Sequence, residues 1–277
     1  MKSERVVAPP LRRSGRLALR WLLVVSTAVA FACAARQSSG ESAKDLTEAE
    51  VARATDALPE GATAQESASW VLDQAEQAVG HISVSSRYTQ STITASAQGL
   101  IIEVEAFQLG DDKAYARQKL PGMGVSEVAY DGNVGWSRDP MTGLRQRQGA
   151  ELEEVRRMTL AYEQSYGAAF SDWELKGVGV EAERVCYEVS LSPHEGADET
   201  HFIDAQTFLT VRMDQVSEGV QGRMKVRTWI EEYQEVDGVL IPWALRSKVG
   251  PIQMTTRVNS VSHGVEIDPT IFTMPME

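Results

Sequence analysis

From Ser83 onward, apolar and polar residues alternate with a period of two. Leu100, Ile102, Val104 and Ala106 alternate with Ile101, Glu103, Glu105 and Phe107. Val185, Tyr187, Val189 and Leu191 alternate with Cys186, Glu188 and Ser190, and the runs 209–214, 224–231 and 254–259 do the same. This pattern predicts antiparallel strands with one buried face. Asp131-Gly132 and Asp237-Gly238 are hairpin dipeptides, and Gly110-Asp111-Asp112, Ser192-Pro193 and the stretch 219–222 are further breaks. Roughly ten strands are expected by the alternation rule.

Two segments carry a helical period instead. Thr63-x-x-Glu66 has the form of a capping box, followed by Ala68, Val71, Leu72, Ala75, Val79 and Ile82 on one stripe and by Gly80 as a stop. Residues 150–166 present Leu152, Val155, Met158, Thr159, Tyr162 and Tyr166 on one side and Glu153, Glu154, Arg156 and Arg157 on the other. The order helix, strands, helix, strands predicts an α+β domain, an antiparallel sheet with helices against one face.

The N-terminus reads differently. Lys2, Arg5, Arg12, Arg13, Arg16 and Arg20 precede a short apolar run ending in small residues. That is the form of a signal peptide over residues 1–32, too short to span a bilayer comfortably. Ala30-Phe31-Ala32 suits ordinary cleavage. With Cys33 it also resembles a bacterial lipobox, in which Cys33 is lipidated, although Phe31 is unusual there. Ala34, rather than the aspartate linked to inner-membrane retention, follows the cysteine. An exported envelope lipoprotein is expected, on the outer membrane and facing the periplasm. Residues 33–62, rich in Ala, Glu and Ser, read as a flexible tether, and 63–277 as the folded domain.

Removing residues 1–32 takes the net charge from −12 to −17, which argues against nucleic acid as a partner. Cys33 and Cys186 are the only cysteines, so no disulfide framework is expected, and Cys186 reads as a packed residue in a strand. His81, His194, His201 and His263 fit no metal motif and read as surface or turn residues. His201 and Asp204, three apart on a strand, point to opposite faces. With no nucleophile elbow, phosphate loop or Cys-x-x-Cys, neither catalytic residues nor a metal or cofactor are expected, and the chain reads as a non-enzyme.

Four local patterns occur in a fixed order. Tyr130-Asp131-Gly132-Asn133-Val134-Gly135-Trp136 comes first, then Phe202-Ile203-Asp204-Ala205-Gln206-Thr207-Phe208-Leu209. The stretch from Glu232 through Asp237-Gly238 to Pro242 follows, and Asn259 with Ile267-Asp268-Pro269-Thr270-Ile271-Phe272 closes the series. Together they resemble the outer-membrane lipoprotein-sorting proteins related to the carriers LolA and LolB, over about Ala64 to Pro275. The resemblance implies a curved, unclosed half-barrel with helices on its concave face. It also implies an apolar interior able to hold acyl chains of lipids or lipoproteins, each buried CH₂ contributing about 0.8 kcal/mol. Residues 150–166 are then the lid, with Leu152, Val155, Met158 and Tyr162 facing inward. Leu100, Ile102, Val104, Val185, Tyr187 and Val189 are the expected lining. The alternative on the same scaffold is an envelope interaction or sensor module, engaging a protein partner through an edge strand or through Trp229 and Phe107.

Overall fold

The computed structural model describes residues 43–276 apart from 96, 98, 220 and 221. The expected signal peptide and Cys33 lie outside the described residues, among which no helix is long and apolar enough to cross a membrane. Two helices open the fold, α1 (Ala43–Asp56) and α2 (Ala64–Val79). Six strands follow: β1 (Ser86–Ala95), β2 (Leu100–Leu109), β3 (Lys113–Leu120), β4 (Gly124–Tyr130), β5 (Gly135–Asp139) and β6 (Gly143–Gln146). Three short helices, α3 (Ala150–Arg156), α4 (Leu160–Gln164) and α5 (Tyr166–Ala169), lead to the remaining strands. These are β7 (Phe170–Glu181), β8 (Arg184–Pro193), β9 (Glu199–Asp204), β10 (Thr210–Gly219), β11 (Gly222–Val236), β12 (Val239–Val249) and β13 (Ile252–His263).

Among the described residues, the strands form one curved, unclosed antiparallel sheet of thirteen, in the order β6-β5-β4-β3-β2-β1-β13-β12-β11-β10-β9-β8-β7. The count exceeds ten because β5 and β6, of five and four residues, are too short to display a period. Bulges after Phe170 and Leu175 also scramble the alternation of β7. The sheet is two meanders. They meet at its centre, where β1 pairs with β13, and their outer strands β6 and β7 are the free edges. The segment 147–169 therefore joins opposite edges, and α3 crosses the sheet to touch β4 and β5 on one side and β10 on the other.

Register defines the covered face. A row runs Val189, His201, Met213, Thr228, Ser247, Met254 across β8 to β13, each residue paired with the next. Helix α2 packs on this face through Ala68, Val71, Leu72 and Ala75 against Val185, Tyr187, Val189, Leu191 and Ile203. Its capping box is formed: Thr63 N–H donates to Glu66 at 2.8 Å, and Glu66 N–H donates to Thr63 Oγ1 at 3.2 Å. Gly80 ends the helix at φ +86°, where an added Cβ would stand 2.6 Å from the Gly238 carbonyl oxygen.

Helix α1 lies in the stretch expected to be spacer. It is packed: Ala54 is buried, Val51 and Leu58 join the α2 core, and Tyr187 Oη donates to the Ala54 carbonyl at 3.0 Å. Its apolar surface is only a few small residues, too little to make a stripe in the sequence, and docking onto β7 and β8 supplies the rest. On the opposite face of the sheet, the C-terminal 3₁₀ turn Pro269–Phe272 buries Phe272 against Tyr115, Ala129 and Trp136, and Trp136 Nε1 donates to the Phe272 carbonyl at 2.7 Å.

Candidate functional site

The expected single helix over 150–166 is three short ones. The Thr159 hydroxyl bonds the Arg156 carbonyl at 2.8 Å, and Met158 and Thr159 N–H groups close tight turns onto Val155 and Arg156. Thr159 and Ser165 are both extended, which ends α3 and separates α4 from α5. Serine and threonine divert backbone bonding to their own hydroxyls, which is why an unbroken apolar stripe does not guarantee an unbroken helix.

Helix α3 is held by charge at both ends of its crossing. Glu151 takes two bonds from Arg145 of β6, at 2.5 and 2.8 Å, and Arg147 lies at 3.2 Å. On the other side, Ser217 of β10 donates to Glu154 at 2.7 Å. Between them, Val155 and Met158 pack on Ala106, Ala114, Ala116, Val128 and Tyr130. Alanines on the adjacent strands β2 and β3 leave the trough into which this part of the crossover fits.

Helix α4 places a carboxylate in the middle of the covered face. Glu163 accepts from Arg87 of β1 at 2.5 Å and from Gln108 of β2 at 2.9 Å, and Gln108 also donates to the Met158 carbonyl at 2.7 Å. Burial raises the Glu163 carboxyl above its ordinary range, and Arg87 and Gln108 oppose that rise. Arg87 Nε donates to His263 Nε2 at 3.1 Å, and His263 Nδ1 contacts Asp237 at 2.8 Å. The backbone adds three ties: Ala161 N–H to the Asp111 carbonyl, Gln164 Nε2 to the Ile82 carbonyl, and Tyr166 N–H to Glu76.

Glu163 also stands between two cavities. One, of about 70 Å³, is a partly open recess bordered by α2, α4, α5, β9 and β10, with Val79, Phe170, Phe208 and Met213 as its apolar wall. Arg157, Tyr162, Glu199 and His201 bring polar atoms to it. The other, of about 50 Å³, lies over β1, β2, β3 and β12, lined by Ile93, Val104, Met158, Ile241 and Leu245. In the first, Arg157 and Glu199 form a close ion pair, and His201 packs edge-on to Tyr166 and Phe170 with ring centroids at 5.9 Å. Burial, with Arg157 beside it, pushes the His201 pKa down to about 3, so the ring is neutral.

No family model and no curated protein matches the sequence. Solved structures do. The chain superposes on a DUF1329 family protein from Desulfovibrio piger with a TM-score of 0.56 at 12% identity, covering 76% of this chain and 98% of that one. A LolA superfamily protein from Nitrosomonas europaea gives 0.54 at 11%, covering 77% and 98%. The fold is the LolA-type half-barrel. A lipoprotein-sorting protein domain from Vibrio parahaemolyticus, described as a putative outer-membrane one, gives 0.52 at 9%, covering 74% and 97%.

Within this LolA-type fold the residues singled out by sequence fall into three groups. Val104 and Met158 line the second cavity and Tyr162 the first. Leu100 and Ile102 share an apolar cluster with Val104, Leu120, Val226, Val249 and Met254 but do not line the second cavity. Val185, Tyr187 and Val189 are core beneath α1 and α2, Val155 packs on the alanines, and Leu152 stands over Gly135. Of the histidines expected at the surface or in turns, His201 is buried on the covered face and His263, half-buried, turns its side chain into the same face, because both fall on its register rather than in a hairpin. Sequence reasoning missed Arg87, Gln108, Glu163, Arg157 and Glu199. The signal was present in Glu163, an acid one residue after Tyr162 and two before Ser165, and in Arg87 at an inward position of β1.

Proposed function

We propose that this chain is a non-enzymatic envelope protein that binds or carries acyl chains, of lipids or of lipoproteins, beneath the α3–α5 crossover. The observation that carries the reading is the pair of cavities divided by Glu163, under a segment anchored to the sheet largely by polar contacts. Together they hold a handful of waters, at roughly 10–15 Å³ each. A long acyl chain displaces more than that, so carriage requires α3–α5 to swing off the sheet. Polar ties suit such a segment, because water replaces them when it opens, whereas a continuous apolar seal has no substitute. In this reading residues 1–32 are the signal peptide, and Cys33 is the lipidated anchor to the outer membrane. The likeness of fold to a lipoprotein-sorting domain supports the same reading.

The interaction-module reading looked to an edge strand or to exposed aromatics; β6 and β7 are free edges, but the two aromatics are covered. Phe107 packs between Tyr88 and Tyr115 at 4.8 and 5.8 Å, and Trp229 is covered by Arg246 at 4.0 Å and bonded to Glu181. Both side chains are engaged within the fold. The test is to purify the protein from its native envelope without detergent and record its intact mass under native conditions. An added mass that organic extraction removes, and that fragments as lipid, is expected. A bare mass that also refuses added phospholipid would overturn carriage.

A further inference from the structure

The cavity beneath α4 and α5 contains polar side chains that the protein itself leaves unsatisfied. The Tyr162 hydroxyl, both ring nitrogens of His201, Nε of Arg157 and Oε1 of Glu199 are buried without a hydrogen-bond partner. His201 Nε2 is 3.5 Å from Glu199 Oε2, without hydrogen-bond geometry. These groups arrive from separate elements: Arg157 from the end of α3, Tyr162 from α4, Glu199 and His201 from β9. Folded proteins leave few buried polar atoms unpaired. Four such side chains around one cavity, opposite an apolar wall of Val79, Phe170, Phe208 and Met213, mark a place prepared for an amphiphilic group.

The atoms define what that group is. Tyr162 O–H, Arg157 Nε–H and the single N–H of a neutral His201 are donors, while the second ring nitrogen, the Tyr162 oxygen and Glu199 Oε1 accept, Glu199 being already engaged with Arg157 as an ion pair. Their complement is an oxygen acceptor attached to an apolar chain. Charge separates the two forms such an acceptor can take. The surroundings hold Glu76, Glu163 and Glu199 against Arg157 and Arg87, the two cations being already paired with Glu199 and Glu163. Three carboxylates against two guanidinium groups disfavour a further anion there. An uncharged carbonyl meets the donors without that penalty.

We propose that Arg157, Tyr162 and His201 form a subsite for the uncharged carbonyl of an acyl linkage, ester or amide, and so favour a linked acyl chain over a free fatty acid. The inference rests on the acyl-binding reading above and adds to it the chemistry at the head of the chain. A neutral His201 ring offers one N–H to the carbonyl, and its second nitrogen can accept from the N–H of an amide linkage.

The test titrates the purified full chain, cleared of bound lipid, with four probes of one chain length: methyl oleate, N-methyl oleamide, oleate and oleyl methyl ether. Binding is read by displacement of an environment-sensitive dye at pH 8. The ester or the amide, or both, should bind about tenfold tighter than oleate and than the ether, the scale of one or two buried hydrogen bonds. Which of the two is tighter names the linkage. Tyr162→Phe, which preserves the ring and its packing, should bring the carbonyl-over-ether ratio close to one, and His201→Gln should shrink it. A ratio of one in the unaltered protein, or no change in Tyr162→Phe, would mean the donors hold only water, and would overturn the subsite while acyl binding stands. Oleate binding tightest would overturn the charge argument and with it the subsite. Failure of all four probes to bind would take the acyl-binding reading down as well.

Discussion

Arg87 on β1 donates to Glu163 on α4 at 2.5 Å, and the same guanidinium donates through Nε to His263 on β13. Since His263 Nε2 accepts, its Nδ1 carries the hydrogen and donates to Asp237. One side chain thus links the crossover to the seam between the two meanders. Its removal should be felt asymmetrically. Arg87→Met strands a buried carboxylate and should cost about 3–5 kcal/mol, whereas the double change Arg87→Met with Glu163→Met should recover most of that loss. Urea unfolding of the three proteins measures it; equal midpoints for Arg87→Met and the parent would refute a stabilising pair.

Acid should weaken the fold through His201. The unfolded histidine takes up a proton below about pH 6.5, while the folded one does so only near 3. Between those values the unfolded state binds more protons, so the contribution is intact above pH 6.5 and is lost as pH falls toward 3. The slope is about 1.4 kcal/mol per pH unit in that window. Denaturation midpoints of the parent and of His201→Gln, taken from pH 7.5 to 4.5, should converge as pH falls.

Gly80→Ala should destabilise far more than Gly135→Ala. At Gly80 the new methyl meets a backbone carbonyl at 2.6 Å and φ is +86°. At Gly135 it meets the end of the Leu152 side chain, which can rotate away. Strain in the left-handed region alone is about 1–3 kcal/mol. Thermal melts of the two variants would rank them; the reverse order would refute the close approach of α2 to the β11–β12 hairpin.

Helix α1 should behave as part of the domain. Tyr187→Phe removes only the bond to Ala54 and should cost about 1 kcal/mol, with faster amide exchange confined to residues 43–58 at first. A chain starting at residue 63 should unfold at lower denaturant than one starting at 43. Identical midpoints would return this stretch to the role of spacer.

Cys186 is buried, and burial pushes its thiol up to about 12. Native protein at pH 8 should resist iodoacetamide at this position and react once unfolded, as peptide mass mapping would reveal. Rapid native labelling would show that the β7–β8 edge opens.

The strand alternation and turn chemistry made most of the sheet legible. Asp131 and Asp204 bond the amides two and three residues ahead, at 2.6–2.9 Å, as their turn sequences predict. The capping box of α2 was equally plain. What alternation could not convey was which face curls inward, or that polar residues share it. Thr228 and Ser247 satisfy each other at 3.0 Å in the interior, so neither needs to interrupt the pattern visibly. The site was less legible than the sheet. Glu163, Arg87 and Gln108 meet across 76 and 55 positions of sequence, and such a meeting is a property of the topology, not of any local spacing. The inward side of residues 150–166 follows from its period, but its partners do not, because the alanines that receive Val155 and Met158 look like ordinary strand filler.

The seam between β1 and β13 has a consequence for how the chain reaches this state. Arg87 pairs with His263 and Thr94 with Thr255, so the centre of the sheet joins strands from opposite ends of the described chain. The sheet is interrupted at its middle until β13 is available, and until then β1 and β12 each present a bare hydrogen-bonding edge. Contacts so distant in sequence form late and slowly. A chain of this design should stay pliable until its last strand arrives and then lock from the inside out. Shortening it by that one strand should therefore leave two half-sheets prone to stick to their neighbours, rather than a slightly smaller half-barrel.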